Sequence, residues 1–137
     1  SLQAIVANHL LGKLEHLTES RIRNAKLFDE LLDGIDAVTI PHRPTDTRQV
    51  FHLYVIQSER RDQLVEFLIA NGVDAKIHYP TPMHLQPAAK EFGYKHGDFP
   101  VCEKICSSVL SLPVHEFITE KEIFQVSEKI REFHASH

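Results

Sequence analysis

Ile77-His78-Tyr79-Pro80-Thr81-Pro82-Met83-His84-Leu85-Gln86-Pro87 divides this chain into its two halves. The strand-like run 73–77 leads into it as a short strand, and proline then takes over. Three prolines in eleven residues fix φ and remove backbone donors, so the segment reads as a stiff loop, not as helix or central strand. A stiff loop can hold imidazole, phenol and amide groups at set positions, which makes it the first place to look for chemistry.

Upstream of the loop, apolar residues recur at Leu2, Ile5, Val6, Leu10, Leu14 and Leu17, then at Ile22, Ala25, Phe28, Leu31 and Leu32. That spacing predicts one long helix over 2–33, or two end to end, stopped by Gly34. A helix of that length spans ~45 Å, more than a small globule needs, so it is expected to tie two bodies together. Residues 35–49 are polar and proline-bearing, a connecting loop. Residues 50–56 have strand character. A helix comes next over 60–71 with Leu64, Val65, Phe67, Leu68 and Ile69 inward, stopped by Asn71-Gly72.

Downstream, 87–92 can start a short helix ended by Gly93. Residues 93–100 form a glycine-bracketed turn in which Asp98 or Pro100 introduces the next helix. That helix runs over 100–108, with Val101, Ile105 and the cysteines available for packing. Residues 109–112 form a third strand closed by Pro113. Thr119 and Glu122 make a capping box for the last helix, whose stripe is Ile123, Val126, Ile130 and Phe133. The order predicts an α+β fold: a long N-terminal helix, then a small, mainly three-stranded sheet covered by helices. Residues 1–34 are expected to link to a body outside this chain, and 35–137 to form a small domain.

Composition narrows the classes. With 137 residues, 42% of them hydrophobic, the chain supports one core. A formal charge of −4 gives no bias toward nucleic acid or membrane surfaces. No apolar run approaches ~18 residues, so no membrane helix is expected, and no leader suggests secretion. Cys102 and Cys106 sit four apart, a helical spacing that rarely suits a disulfide, so reduced thiols and a cytoplasmic location are expected. The only methionine is Met83 and helical periodicity begins at the first residues. The chain therefore reads as a piece of something longer.

Ten histidines invite a metal site. His78, His84 and His96 surround the loop, with Cys102, Cys106 and His115 beyond it. No C-x-x-C pair or H-E-x-x-H element is present, and no carboxylate stands with them in ligand spacing, so none is expected. Cys102 carries no local sign of an activated thiol. No G-x-S-x-G, Walker loop or G-x-G-x-x-G occurs. Two readings of the loop stand. In one, His78 and His84 donate to hydroxyls or phosphate, Tyr79 donates or stacks, and Gln86 bridges. In the other, the prolines brace a turn whose His and Tyr cap backbone groups.

The loop, the glycine-bracketed turn and the strand after them resemble, in order and spacing, the C-terminal portion of the sugar-nucleotide aminotransferases (DegT/StrS family). The matching residues are His78-Tyr79-Pro80 with Pro82 and His84, then Gln86-Pro87-Ala88 and Gly93-Tyr94. Gly97-Asp98-Phe99-Pro100 with Glu103 and Leu110-Ser111-Leu112-Pro113 complete the set. Leu2-Gln3-Ala4 is similar to the start of that family's long helix, and His52-Leu53-Tyr54-Val55 to its first small-domain strand.

The resemblance implies a pyridoxal-phosphate enzyme of the aspartate-aminotransferase fold, a homodimer with its active sites at the subunit interface. It would move an amino group from an amino acid, commonly glutamate, to a nucleotide-linked ketosugar. In that family the Schiff-base lysine and the groups holding the cofactor belong to the large domain, which precedes the matching region. No catalytic residue is therefore expected in this chain, and the chain alone is expected to bind no cofactor and to be inactive. His78, Tyr79 and His84 would bind substrate, while Gln86, Tyr94 and Asp98 would support the loop. Two rivals are a sugar dehydratase of the same family and a free-standing, non-catalytic sugar-nucleotide-binding or interaction module.

Overall fold

The computed structural model describes residues 1–136, which leaves His137 of the 35–137 segment outside the described residues. It builds the sheet from two strands where the pattern predicts three. β1 (Tyr54–Gln57) and β2 (Val109–Leu112) pair antiparallel, with Tyr54 opposite Leu112 and Ile56 opposite Leu110. Single bridges extend the pair on either side, Thr39 with Gln57 and Lys76 with Ser111.

The strand predicted over 73–77 is thus reduced to Lys76, and the cause is local. The helix before it, α3 (Arg61–Ala70), ends in a Schellman motif: the Val73 N–H reaches the Leu68 carbonyl at 2.9 Å and Gly72 takes φ 80°. The Ala75 N–H is then taken by the Val73 carbonyl at 2.9 Å. The strand predicted over 50–56 starts late, at Tyr54, because Phe51 has φ 49°, a left-handed turn that a strand does not contain.

The predicted N-terminal helix divides into α1 (Leu2–Leu11) and α2 (Leu14–Leu32). The Lys13 N–H turns back to the Leu10 carbonyl at 2.9 Å and closes the first of them. α1 buries no residue, whereas α2 buries Ala25, Phe28 and Leu32. Met83–Leu85 and Pro87–Phe92 are 3₁₀ turns, and α4 (Pro100–Ser108) begins with Pro100 as its first helical residue. The packing predicted for α4 does not form, since Val101 and Ile105 are exposed, as is Ile69 on α3. α5 (Glu120–Ala135) opens on the Thr119–Glu122 capping box and buries Ile123, Val126, Ile130 and Phe133, as its spacing predicts. Among the described residues, no helix is long and apolar enough to cross a membrane.

Side chains alternate across a strand. Tyr54, Ile56, Leu110 and Leu112 therefore share one face, and all join the core with Phe28 and Leu32 of α2, Leu64 and Leu68 of α3, and Ile123 and Ile130 of α5. Ser111 and Val55 belong to the other face. The core face carries one polar anchor. The Tyr54 ring stacks on Phe28 at 4.9 Å and its hydroxyl donates to Asp29 Oδ1 at 2.8 Å. Arg43 forks onto the same carboxylate through Nε at 3.2 Å and Nη2 at 3.0 Å, which ties the 35–49 loop to α2. Burial first, then the bond to Asp29 and its charge, pushes the phenol far above its usual range.

Tyr54→Phe removes the hydroxyl and leaves the stacking. It is expected to lower unfolding stability by about 1–2 kcal/mol, seen as a lower urea midpoint with an unchanged slope. An unchanged midpoint would contradict a structural role for this anchor.

Candidate functional site

The loop meets the sheet through one residue of β2, Ser111, whose side chain lies opposite the core face of Leu110 and Leu112. Ser111 is 4% exposed. Its N–H donates to the Lys76 carbonyl at 2.7 Å and its carbonyl accepts the Lys76 N–H at 3.1 Å. Its hydroxyl Oγ lies 3.0 Å from His78 Nδ1. One strand residue thus holds the loop by backbone at Lys76 and by side chain at His78. The Tyr79 ring stands edge-on to His78 at 5.5 Å between centroids and is 69% exposed.

His78 and Ser111 border a small cavity of about 200 Å³, with Arg21, His52, Lys76 and His115 among its other walls. α2 holds those walls. Arg21 donates to the Phe51 and His52 carbonyls, each at 3.3 Å, and pairs with Glu116 at 3.3 Å. Asn24 Nδ2 donates to the His115 carbonyl at 3.0 Å. A larger groove of about 1020 Å³ between the end of α3 and α5 includes none of the loop residues.

His84 belongs to a second cluster. Its Nε2 donates to Glu103 Oε1 at 3.0 Å, and its side chain is 8% exposed. The Glu103 carboxylate also accepts the Gly97 N–H at 2.8 and 3.0 Å and the Phe99 N–H at 3.3 Å, with His96 Nε2 at 3.3 Å. The His84 ring packs on Phe99 at 4.7 Å, and Tyr94 stands edge-on to Phe99 at 5.2 Å. Asp98 Oδ2 accepts the Lys95 N–H at 2.8 Å inside the glycine-bracketed turn. Gln86 is exposed and joins the loop through its backbone, its N–H reaching the Met83 carbonyl at 3.2 Å.

The three residues predicted to bind substrate therefore fall into two groups: His78 at the cavity with Tyr79 edge-on to it, and His84 with its Nε2 taken by Glu103. Sequence reasoning assigned no role to Glu103 or Ser111. The signal for Ser111 was available, because a lone hydroxyl in a buried apolar strand needs a partner. For Glu103 the signal was weaker: an acid one turn into a helix, after a turn rich in free N–H groups.

Among the described residues, no group of three or more His, Cys, Asp or Glu side chains is placed to hold a metal ion. Both cysteines are free. Burial, with Cys102 beside it, pushes the Cys106 thiol up, the opposite of an activated nucleophile.

Desolvation acts to raise the Glu103 carboxyl, but the Gly97 N–H, His84, the Phe99 N–H and the charge of His96 together hold it below its ordinary value. A carboxyl lowered in the folded state stabilises the turn above the ordinary Glu range of about 4.3, and that contribution is lost as pH falls through the depressed value. Glu103→Ala is accordingly expected to speed hydrogen exchange at the Gly97 and Phe99 amides at neutral pH while leaving β1 and β2 protected. Unchanged exchange at those two amides would contradict the clamp.

The chain can be compared with known proteins. A pleiotropic regulatory protein of Geobacillus stearothermophilus is 36% identical over 135 residues, covering 97% of this chain and 36% of that protein. The dTDP-3-amino-3,4,6-trideoxy-alpha-D-glucose transaminase of Streptomyces venezuelae is 34% identical over 124 residues, covering 88% of this chain and 33% of that protein. The crystal structure of S. venezuelae DesV in complex with a ketimine intermediate superposes with a TM-score of 0.93 at 32% identity, over 96% of this chain and 36% of that one. The chain spans about a third of the length of these relatives. Residues 1–131 match the DegT/DnrJ/EryC1/StrS aminotransferase family, and the chain belongs to that family.

Proposed function

We propose that this chain is the C-terminal small domain of a sugar-nucleotide aminotransferase, with residues 1–34 joining it to the large domain. The observation that carries the reading is the His78–Tyr79 pair, anchored on buried Ser111 beside a cavity whose walls include Arg21 and Lys76. Such a wall offers ring N–H and cationic groups to an oxygen-rich ligand, with the exposed Tyr79 phenol beside His78. The named transaminase among the relatives points to a nucleotide-linked sugar as that ligand. The exposed Leu2, Ile5, Val6, Leu10 and Leu11 of α1 fit a helix covered by the rest of the enzyme.

Among the described residues, the lysine beside the candidate site does not suit a pyridoxal-phosphate Schiff base. Lys76, the lysine nearest His78 in sequence, is exposed and ion-paired with Asp74, not the desolvated amine that Schiff-base chemistry uses. The cofactor, which when bound carries the amino group between donor and ketosugar, belongs to the large domain. This chain's part is to bind and orient the sugar nucleotide. His78 and Tyr79 contact it, the proline-braced loop excludes water, and His84 with Glu103, Tyr94 and Asp98 holds the loop from behind. The whole enzyme works as a cytoplasmic homodimer with an amino-acid donor such as glutamate.

Two outcomes test this. The chain alone, mixed with equimolar pyridoxal phosphate and then borohydride, is expected to show no site-specific pyridoxyl adduct by mass spectrometry; a single modified lysine would contradict it. In the full-length protein, His78→Ala and Tyr79→Phe are each expected to slow the ketosugar half-reaction about tenfold, roughly one hydrogen bond. The amino-donor half-reaction is expected to stay unchanged. An equal loss in both halves would remove the pair from the sugar side, and sugar dehydration without amino transfer would assign a dehydratase.

A further inference from the structure

Ser111 is the one polar side chain in β2, and its surroundings decide which ring nitrogen of His78 carries the proton. Both backbone groups of Ser111 are engaged with Lys76, at 2.7 and 3.1 Å. Among the described residues, the hydroxyl's hydrogen-bond contact is His78 Nδ1 at 3.0 Å. Two arrangements satisfy that distance. If Nδ1 carried the proton and donated it, the buried hydroxyl would keep its own proton with no acceptor, an arrangement that folded proteins avoid. If the hydroxyl donates to Nδ1, the buried hydroxyl has its acceptor, and the ring proton sits on Nε2, the nitrogen turned away from the strand.

We propose that Ser111 is a positioning residue that holds neutral His78 as the Nε2–H tautomer, so that the ring meets the sugar nucleotide as a hydrogen-bond donor. With Nδ1 turned to the strand, Nε2 is directed away from Ser111, and the imidazole offers an N–H to a sugar hydroxyl or phosphate oxygen. In this state Nε2 cannot accept a proton, so His78 orients the substrate and is not its base. The tautomer is set by the fold alone; its use for the sugar nucleotide rests on the function proposed above.

Long-range proton–nitrogen correlation spectra of the 137-residue chain test this directly at a pH where imidazole is neutral, with His78 assigned by its loss in His78→Gln. The expected pattern is a pyrrole-type Nε2 and a pyridine-type Nδ1. Ser111→Ala is expected to move both nitrogens toward the averaged shifts of a free imidazole, and Ser111→Thr, which keeps a hydroxyl, to restore them. A pyrrole-type Nδ1 in the unmodified chain, or a pattern that Ser111→Ala leaves in place, would overturn the proposal. If Ser111→Ala does not fold, the spectrum of the unmodified chain decides by itself. The readout needs no catalysis, so it succeeds or fails independently of the aminotransferase reading. In the full-length enzyme, Ser111→Ala is expected to slow only the ketosugar half-reaction, by about tenfold, with Ser111→Thr recovering it. An equal slowing of both halves would overturn the link to the sugar.

Discussion

Burial of β2 on both faces constrains the rest of the chain. A buried strand must satisfy every backbone group, and here each satisfied group fixes a neighbouring element. Leu110 and Leu112 lie opposite Ile56 and Tyr54 of β1, while Ser111 sends its N–H and carbonyl the other way to Lys76. At the strand's start, buried Arg61 donates to the Val109 carbonyl at 2.9 Å and the Cys106 carbonyl at 3.0 Å, which ties α3 to the end of α4. The Ser58 N–H donates to the Ser108 carbonyl at 2.9 Å. The strand and the last turn of α4 that feeds it thus locate β1, α3 and the loop together.

The same strand separates core from chemistry. Leu110 and Leu112 join the core with α2, α3 and α5, while Ser111, on the opposite face with Val109, meets the loop through its hydroxyl. The loop then leaves the sheet and would be free to sag over the next twenty residues, but Glu103 gathers its far end. That carboxylate holds two backbone N–H groups and two imidazoles, with an aromatic cluster of His84, Tyr94 and Phe99 packed around it. His78 and Tyr79 are therefore held between two anchors, one in the sheet and one on α4. Prolines stiffen the span between them.

The sequence made the helices legible wherever a cap or a stripe marked them. The capping box of Thr119 and Glu122, the Asn71-Gly72 stop and the apolar stripe of α5 all carry short-range signals. The strands were harder. Residues 73–77 have strand composition, but the turn that ends α3 takes the Ala75 N–H, and nothing in the residue types announces that. Phe51 has β-propensity yet lies in a left-handed conformation, with its carbonyl held by Arg21 thirty residues away. The site was half legible. Histidines in a proline-rich loop point to function or bracing, and here His78 meets a cavity while His84 meets Glu103. Which histidine does which depends on pairings made only by the fold.

A crystal structure of the full-length protein with a nucleotide-linked sugar bound tests the central claim most directly. The expected result is His78 Nε2 within ~3 Å of a sugar or phosphate oxygen while Nδ1 stays on Ser111. A ligand seated away from the His78–Tyr79 wall, or a His78 released from Ser111, would contradict the account.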